Sequence, residues 1–468
     1  MRRFMKCMVT SMMICLGANS LYAAEKTYIT ETEFANKLST ITKIEADFQT
    51  LVDSQQALTR EKAATMIVDY LGYEALSHDL KGNTNFKDVE SSKGEIALIS
   101  QLGIMNGMGN QLFGPNECLT EEAANSILNR LQSKLQTQSN WKHACYAISS
   151  SSQMDWIKDY SAISFGWAQV FHQEDKFVVA NDLGDFKVPS GFEKPMDEAK
   201  ANGVETYLMV YFDGKDVQAL LNNVAQSERV INQIVTLTNG TTKDGVTRAF
   251  DGVTIDFESL ADSSLKAPYV NFLKQLKSAL TLQNKKLNVA VQPTLYYKGY
   301  DYKGIGEVAD RVILMAHDYG ARSLNEQEQQ AGITTTPLTP IDDVYAALWE
   351  AKNAIGDTNK IALQFSFASI QWQKQNGMVL NNKAYTPTYD KIAARLQSAG
   401  TQVKFDAYYQ STYATYEENG ISNTIWYEDV KSIKAKMELA KLLGINNFSY
   451  WRLGMIPNEI KNLNYLRQ

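Results

Sequence analysis

Residues 250–258 read Phe-Asp-Gly-Val-Thr-Ile-Asp-Phe-Glu, and apolar and polar side chains alternate along the second half of this stretch. Because successive side chains of a β-strand point to opposite faces, Thr254, Asp256 and Glu258 share one face. The apolar residues between them share the other. The pattern predicts a strand whose apolar face packs against outer helices and whose polar face points into the interior of a barrel.

The two carboxyl groups on the polar face predict acid–base chemistry. Side by side, Asp256 and Glu258 cannot ionise independently, and one is driven towards its protonated form near neutral pH. A general acid needs such a group. The alternative is that these acids only cap a neighbouring helix.

Seven further β-rich runs alternate with helical stretches around this strand. They lie at 145–149, 162–167, 205–211, 287–292, 311–316, 361–366 and 447–451. Eight such strands predict an α/β protein, a (β/α)8 TIM barrel over residues 139–468, with its chemistry at the carboxyl ends of the strands. A doubly wound open sheet is the alternative, but no glycine-rich phosphate loop follows the first strand. Residues 367–424 exceed a normal loop and predict an α+β insertion after strand 7.

The 250–258 stretch resembles the signature of glycoside hydrolase family 18, Asp-Gly-x-Asp-x-Asp-x-Glu. The resemblance implies that Glu258 is the acid/base, that Asp256 orients the substrate's N-acetyl group, and that the acetamido oxygen itself is the nucleophile. Two residues depart from the family pattern. Thr254 replaces a carboxylate, and His317 stands where a Tyr usually donates to the acetamido oxygen, either as a substitute donor or as a structural imidazole.

Other strand ends resemble the same family. Residues 315–319, Met-Ala-His-Asp-Tyr, resemble its sixth-strand motif, and residues 450–454, Tyr-Trp-Arg-Leu-Gly, resemble its eighth-strand ending, where Trp451 would stack on the sugar. The expected substrate-binding residues are Asp251, Thr254, Trp167, Gln292, Met315, His317, Asp318, Tyr319 and Trp451.

The resemblance implies a retaining glycosidase that needs no cofactor. It would cleave β-1,4 bonds after N-acetylglucosamine in peptidoglycan or a related N-acetylglucosamine-containing polysaccharide. The alternatives are a chitinase or endo-N-acetylglucosaminidase with the same mechanism, or a catalytically inactive, lectin-like barrel. Retention of both Asp256 and Glu258 favours the enzyme.

The sequence of the N-terminal third predicts a secretory signal peptide followed by a small helical region. Residues 1–24 join a basic start, a short apolar run and small residues, the pattern of a secretory signal peptide. Within 25–138, Leu-Thr-Arg-Glu-Lys-Ala-Ala at 58–64 returns as Leu-Thr-Glu-Glu-Ala-Ala at 119–124, each Thr placed to cap a helix. The polar residues 132–142 predict a linker.

This region resembles the S-layer homology module, a wall-anchoring repeat of bacterial surface proteins. The resemblance implies that Thr59, Arg60 and Glu61 bind an anionic secondary cell-wall polymer. The alternative is a helical spacer that only packs against the next domain.

Composition narrows the partners. The chain has 46 Lys+Arg against 52 Asp+Glu, a net charge of −6, and no long basic tract, which argues against nucleic acid. Its four His are scattered and no Cys pair has metal-ligand spacing, so no metal site is predicted. Whether Cys118 and Cys145 pair is left open. We expect a protein secreted to the cell wall or surface of a bacterium, with no membrane segment after signal cleavage.

Overall fold

The computed structural model describes residues 27–42 and 55–463, except residues 83, 148, 333, 335 and 336. The predicted signal peptide lies outside the described residues. Among those described, no helix combines the length and apolarity needed to cross a membrane. Cys118 and Cys145 are not joined to each other by a disulfide, and Cys145 is buried.

The N-terminal region is helical, as predicted. Its helices are α1 (Glu31–Thr42), α2 (Arg60–Leu71), α3 (Glu74–Asp79), α4 (Lys93–Gln101) and α5 (Glu121–Gln136). The two repeated Thr residues are N-caps: Thr59 accepts a hydrogen bond from the backbone N–H of Lys62, and Thr120 accepts one from Ala123. Each cap satisfies a donor that the first turn of a helix leaves free.

Eight parallel strands form a closed barrel, which confirms the predicted TIM fold. In chain order they are β1 (Trp141–Tyr146), β2 (Ala162–Gln173), β4 (Glu205–Phe212), β7 (Gly252–Phe257), β8 (Lys286–Val291), β9 (Arg311–Leu314), β10 (Ile361–Ser366) and β16 (Asn447–Trp451). Each pairs with the next, and β1 closes the ring by pairing with both β2 and β16.

The remaining strands are antiparallel additions. β3 (Lys176–Ala180) extends β2, and β5 (Thr241–Lys243) and β6 (Val246–Arg248) form a separate hairpin. The insertion after strand 7 of the barrel is a five-stranded sheet with one helix. It comprises β11 (Ile370–Gln375), β12 (Met378–Val379), α13 (Tyr389–Leu396), β13 (Gln402–Asp406), β14 (Ser411–Glu418) and β15 (Ile421–Tyr427).

Helices cover the outside of the barrel. They are α6 (Glu193–Ala201), α7 (Asp216–Leu221), α8 (Val224–Asn239), α9 (Lys266–Thr281), α10 (Tyr302–Val308), α12 (Ile341–Ile355), α14 (Val430–Leu442) and α15 (Asn458–Leu463). The short helix α11 (Glu326–Gln330) packs against β12 of the insertion instead. Short 3-10 turns lie at Ser150–Asp159, Ser263–Leu265 and Thr358–Lys360. The apolar face of β7 packs outward as its alternation predicted: the Phe257 ring lies 5.3 Å from Phe272 and 6.1 Å from Tyr269 of α9.

The linker prediction for 132–142 was wrong. Helix α5 continues to Gln136, and β1 begins at Trp141, four residues before the predicted first strand. Polar side chains disguised this strand, since His143 is fully buried inside the barrel, where two serines hydrogen-bond its ring nitrogens.

The N-terminal region packs directly against the barrel. Lys134 of α5 donates to the carbonyl oxygen of Leu442 at 2.9 Å, and Lys441 of α14 donates back to that of Leu135 at 3.2 Å. Gln410 of the insertion donates to the carbonyl oxygen of Gly72 at 3.0 Å. Apolar side chains of both parts belong to one continuous core, so the region is docked rather than tethered.

Candidate active site

The cleft lies at the carboxyl ends of the barrel strands, where β7 ends in Glu258. A cavity of about 210 Å³ opens there, and Asp256, Glu258, His317, Asp318 and Trp451 line it together. The strand register sets Tyr211 of β4 beside Asp256. The backbone N–H of Glu258 donates to the carbonyl oxygen of Phe212 at 2.8 Å, which fixes the strand end.

Asp256 lies at the bottom of this cavity with an unused polar atom. Its side chain is 4% exposed, and its Oδ1 has no hydrogen-bond partner among the described residues. Burial first, and then the charges of Glu258 and Asp213, raise the pKa of Asp256 well above its ordinary value. A buried, unpaired carboxyl oxygen is costly unless a ligand completes its hydrogen bonding, so Asp256 is built to receive a polar group.

Glu258 lies above Asp256 and is partly buried. Burial, together with the charges of Asp213 and Asp318 and against that of His317, raises the pKa of Glu258 to about 7. Gln292, at the end of β8, is placed beside it: its Nε2 donates to Glu258 at 3.4 Å, and its Oε1 accepts from the N–H of Ser259 at 2.8 Å. A carboxyl group that is half protonated near pH 7 can serve as an acid and then as a base.

His317 is fixed by contacts at both ring nitrogens. Nδ1 lies 2.9 Å from Asp318 Oδ2, and Nε2 lies 3.0 Å from Gln364 Oε1. Burial lowers the pKa of His317, but the hydrogen bonds and charge of Asp318 outweigh it, so the net shift is upward. Burial raises the pKa of Asp318, whereas His317 and Arg322 bring it down to about 2. With both nitrogens engaged, the ring is not placed to donate to an acetamido oxygen, so the geometry favours the structural imidazole.

A second cavity of about 370 Å³ adjoins the first on the other side of Glu258. Gln292, Tyr296, Tyr319 and Arg322 line it, and Met315 and His317 line both cavities. Tyr296 is half exposed, and its ring lies 5.8 Å from Tyr319. These rings offer apolar faces of the kind on which sugars stack.

A third, larger basin of about 660 Å³ lies on the opposite side, between the loop after β1 and residues 184–195. Lys187 and Lys194 are exposed at its rim, and Asp185 also lines it. Phe186 separates the basin from the first cavity and stacks on Tyr211, with ring centroids 4.6 Å apart. The first two cavities are therefore continuous, and the third basin lies next to them behind Phe186.

Two predicted cleft residues lie elsewhere. Asp251 precedes β7, so roughly 20 Å of strand separates it from Glu258. It accepts hydrogen bonds from the N–H and hydroxyl of Thr206 at 2.8 and 3.0 Å, which tie the strand starts together. Trp167 is only 2% exposed and packs against Phe165 and Phe250, so it supports the floor of the third basin and cannot stack on a sugar.

Several cleft residues escaped prediction, including Phe186, Tyr211, Tyr296, Arg322 and Gln364, and so did Asp213, whose charge raises the pKa of Glu258. Tyr211 and Asp213 lie at the end of a correctly predicted strand, so the strand-end rule that selected Glu258 also selects them. Gln364 is a polar residue inside an apolar strand, which is a signal for an inward-facing role. Phe186 comes from a long loop, and no sequence pattern marks it.

The predicted wall-binding triplet has structural partners. Thr59 caps α2, and Glu61 accepts a hydrogen bond from Ser91 at 2.5 Å. Arg60 donates to the carbonyl oxygens of Phe113 and Asn106 at 2.8 and 2.6 Å, and its guanidinium lies over the Phe113 ring. The triplet therefore joins the first half of the module to the loop of the second.

Comparison with known families agrees with this geometry. The family model described as Glycosyl hydrolases family 18 matches residues 139–455, and the model of the S-layer homology domain matches residues 85–124.

Individual relatives are distant. The cortical fragment-lytic enzyme of Bacillus subtilis is 26% identical over 246 residues, which cover 50% of this chain and 52% of the relative. The chain thus spans about half the length of the curated relatives it matches. Among solved structures, the spore cortex-lytic enzyme SleL of Bacillus cereus aligns with a TM-score of 0.56 at 20% identity, covering 70% of this chain and 74% of that one. A family 18 N-acetylglucosaminidase from Paenibacillus barengoltzii aligns with a TM-score of 0.54 at 18% identity, covering 70% and 99%. At these identities the structural matches establish the fold.

Proposed function

Since the chain belongs to glycosyl hydrolases family 18, we propose that it is a retaining, wall-associated glycosidase that cleaves after N-acetylglucosamine by substrate-assisted catalysis. One observation carries the proposal. Asp256, with an unpartnered buried oxygen, and Glu258, with a pKa of about 7, line the same cavity at the mouth of the barrel.

The site supplies each group that the reaction needs. The acetamido oxygen of the bound sugar attacks the anomeric carbon while the glycosidic C–O bond breaks, and Glu258 gives its proton to the leaving oxygen. Asp256 accepts a hydrogen bond from the acetamido N–H and stabilises the positive charge of the oxazolinium ion. Glu258, now ionised, takes a proton from water, whose oxygen bonds to the anomeric carbon from the face that the leaving group vacated while the bond from that carbon to the acetamido oxygen breaks. The configuration is retained, and Glu258 regains its proton.

These roles determine the direction in which the glycan chain lies along the cleft. The sugar whose bond breaks lies over Asp256 and Trp451, and the leaving group enters the second cavity beside Gln292 and Tyr296. The rest of the chain on the non-reducing side then runs past Phe186 into the third basin. Its rim lysines, Lys187 and Lys194, favour a glycan with anionic substituents, such as the lactyl and peptide carboxylates of muramic acid, over uncharged chitin.

Hydrolysis assays test the reaction and the polymer together. The full chain should release reducing ends from digested peptidoglycan, and Glu258→Gln should abolish this activity. Lys187→Ala with Lys194→Ala should lower kcat/KM for muramic-acid-containing fragments several-fold and leave that for chitotriose unchanged. Lys274→Ala, an exposed change on α9, is the matched control. Equal inertness of the wild type and Glu258→Gln on every N-acetylhexosamine substrate would leave only the lectin-like alternative, and unchanged selectivity would reject the role of the lysines.

We also propose that the N-terminal region attaches the protein to a secondary cell-wall polymer, on the strength of its S-layer homology match. Arg60 serves this attachment by holding the loop of the second half in place. Full-length protein should sediment with purified cell walls, and Arg60→Ala should weaken sedimentation, whereas Arg229→Ala on α8 should not. If the wild type stayed in the supernatant, attachment to the wall would be refuted. If Arg60→Ala sedimented as well as the wild type, the role of Arg60 would be refuted.

A further inference from the structure

A chain of hydrogen bonds runs through the barrel interior beneath the cleft and ends at His317. The strand register places both His143 of β1 and Gln364 of β10 beside Ser449 of β16. His143 Nδ1 lies 2.8 Å from Ser449 Oγ, and Gln364 Nε2 lies 3.0 Å from the same oxygen. Gln364 Oε1 lies 3.0 Å from His317 Nε2. Three neighbouring strands thereby connect His143 to His317.

The chain continues from His143 to the other side of the barrel. His143 Nε2 lies 2.7 Å from Ser164 Oγ of β2, and this oxygen lies 2.6 Å from Thr254 Oγ1 of β7. All three side chains are buried. Thr254, which stands where the family signature has a carboxylate, is therefore the far end of the chain that begins at His317.

The contacts of His317 determine the direction of the chain. The Asp318 carboxylate can only accept, so Nδ1 of His317 carries a proton. In the amide orientation of this structure, the Gln364 carbonyl oxygen faces Nε2 and can only accept, so Nε2 carries a proton too and this arrangement requires a cationic His317. Gln364 then turns its N–H towards Ser449.

Each later link follows from the one before it. Ser449 accepts from Gln364, so its hydroxyl donates to Nδ1 of His143. Burial lowers the pKa of His143 to about 3, so its ring is neutral and its single proton lies on Nε2. Nε2 donates to Ser164, and the Ser164 hydroxyl donates to Thr254. The last oxygen in the chain accepts, and the Thr254 hydroxyl proton remains available on the face that carries Asp256.

If His317 is neutral, the donor and the acceptor exchange places in every hydrogen bond of the chain. Its bare Nε2 would accept from a flipped Gln364 amide, whose carbonyl oxygen would then accept from Ser449. The proton of His143 would move to Nδ1, and the Thr254 hydroxyl would have to donate to Ser164. The tautomer of His143 therefore reports the charge of His317 on the other side of the barrel.

We propose that this chain holds His317 in its doubly protonated form and that Thr254 is the terminal acceptor that this direction of the hydrogen bonds requires. The positioning residues are Gln364, Ser449, His143, Ser164 and Thr254. Three charged groups lie near His317: Asp318 and Arg322 on the same loop, and Glu258 directly after β7. Asp213, directly after β4, acts on Glu258 in turn. The inference deepens the proposed function, on which only its kinetic consequence rests.

Nitrogen NMR of ¹⁵N-histidine-labelled full-length protein tests the chain directly. The sequence has four His, so His78→Gln and His172→Gln assign two signals and leave His143 and His317. Below the pKa of His317, we expect His317 to carry two ring protons and His143 to carry one, on Nε2. A His143 proton on Nδ1 at that pH would overturn the proposal.

Thr254→Val tests the long-range link, because it removes the terminal acceptor and keeps the side-chain volume. The reversed direction then becomes the better one, so His143 should shift its proton to Nδ1 and the pKa of His317 should fall by about one unit, the equivalent of one hydrogen bond. Thr254→Ser should restore wild-type spectra. If Thr254→Val does not fold, Ser164→Ala interrupts the chain one link earlier and should lower the pKa of His317 in the same direction.

An unchanged tautomer and an unchanged His317 pKa in the folded variant would refute the coupling whether or not the protein is a hydrolase. In the active enzyme, losing the His317 cation removes a charge that lowers the pKa of Glu258. The basic limb of the kcat/KM profile should therefore move to higher pH in Thr254→Val and return in Thr254→Ser.

Discussion

Replacing Glu258 with Gln should stabilise the protein at alkaline pH and leave its stability almost unchanged in acid. The pKa of Glu258 rises from 4.5 to about 7 on folding, chiefly because of burial. Each pKa unit corresponds to about 1.36 kcal/mol. Since the folded pKa lies above the unfolded one, the unfolded state releases its proton first, and the folded state loses stability as pH rises through this window.

The expected difference can be worked out for two pH values. At pH 4.5 the carboxyl group is mostly protonated in the folded state and half protonated in the unfolded one, so Glu258→Gln gains well under about 1 kcal/mol. At pH 8 the carboxylate must be buried, and the gain approaches 3 kcal/mol. The difference should level off above pH 7. A catalytic group that costs stability in this way is a familiar feature of active sites.

Urea unfolding followed by tryptophan fluorescence at both pH values measures this difference. Glu228→Gln, an exposed change on α8, is the control for the loss of a carboxylate and should give similar values at both pH values. If Glu258→Gln gave the same free-energy difference at pH 4.5 and pH 8, or destabilised the protein at pH 8, the burial argument for the raised pKa would be refuted.

Three other predictions concern the site, the core and the docked N-terminal region. Wild-type kcat/KM should fall about tenfold per pH unit above pH 7 as Glu258 loses its proton; a flat profile to pH 9 would contradict this. Asp256→Asn should lower kcat at least about 100-fold on N-acetylglucosamine substrates while the protein stays folded, and near-normal turnover would contradict its role. Lys436 and Glu428 form a buried ion pair at 2.9 Å, so Lys436→Met should cost about 3–5 kcal/mol in urea unfolding, and Lys436→Met with Glu428→Leu should cost less; equal costs would argue against charge burial as the cause.

The barrel was predictable because its signals are local and periodic. The alternation in residues 250–258 placed Glu258 and Asp256 correctly, and eight β-rich runs gave the strand count. Polar residues that satisfy each other inside the barrel defeated the same reasoning. His143 falls between the predicted linker, residues 132–142, and the predicted first strand, residues 145–149, and only its two serine partners, one 21 and one 306 residues away, explain its burial.

The misplaced site residues have similar causes. Asp251 belongs to the signature motif, but it precedes the amino end of β7, whereas the cleft lies at the carboxyl end. The motif alone does not show this. Trp167 follows a strand, but β2 is long and continues to Gln173, so Trp167 lies inside it rather than at its end. The role of Phe186 depends on how a loop returns over the cleft, and no periodic pattern encodes that path.

The docking of α5 against α14 has a consequence for action on a wall. A catalytic domain on a flexible tether samples a sphere whose radius the linker sets, and every orientation within it. Here the N-terminal region and the barrel share one apolar core and exchange lysine–carbonyl hydrogen bonds, so the angle between this region and the cleft is built into the fold. If the N-terminal region attaches to the wall, the cleft would stay at a fixed distance and orientation from the attachment site. Helix packing, and not the length of a linker, would then decide which layer of polymer the cleft contacts.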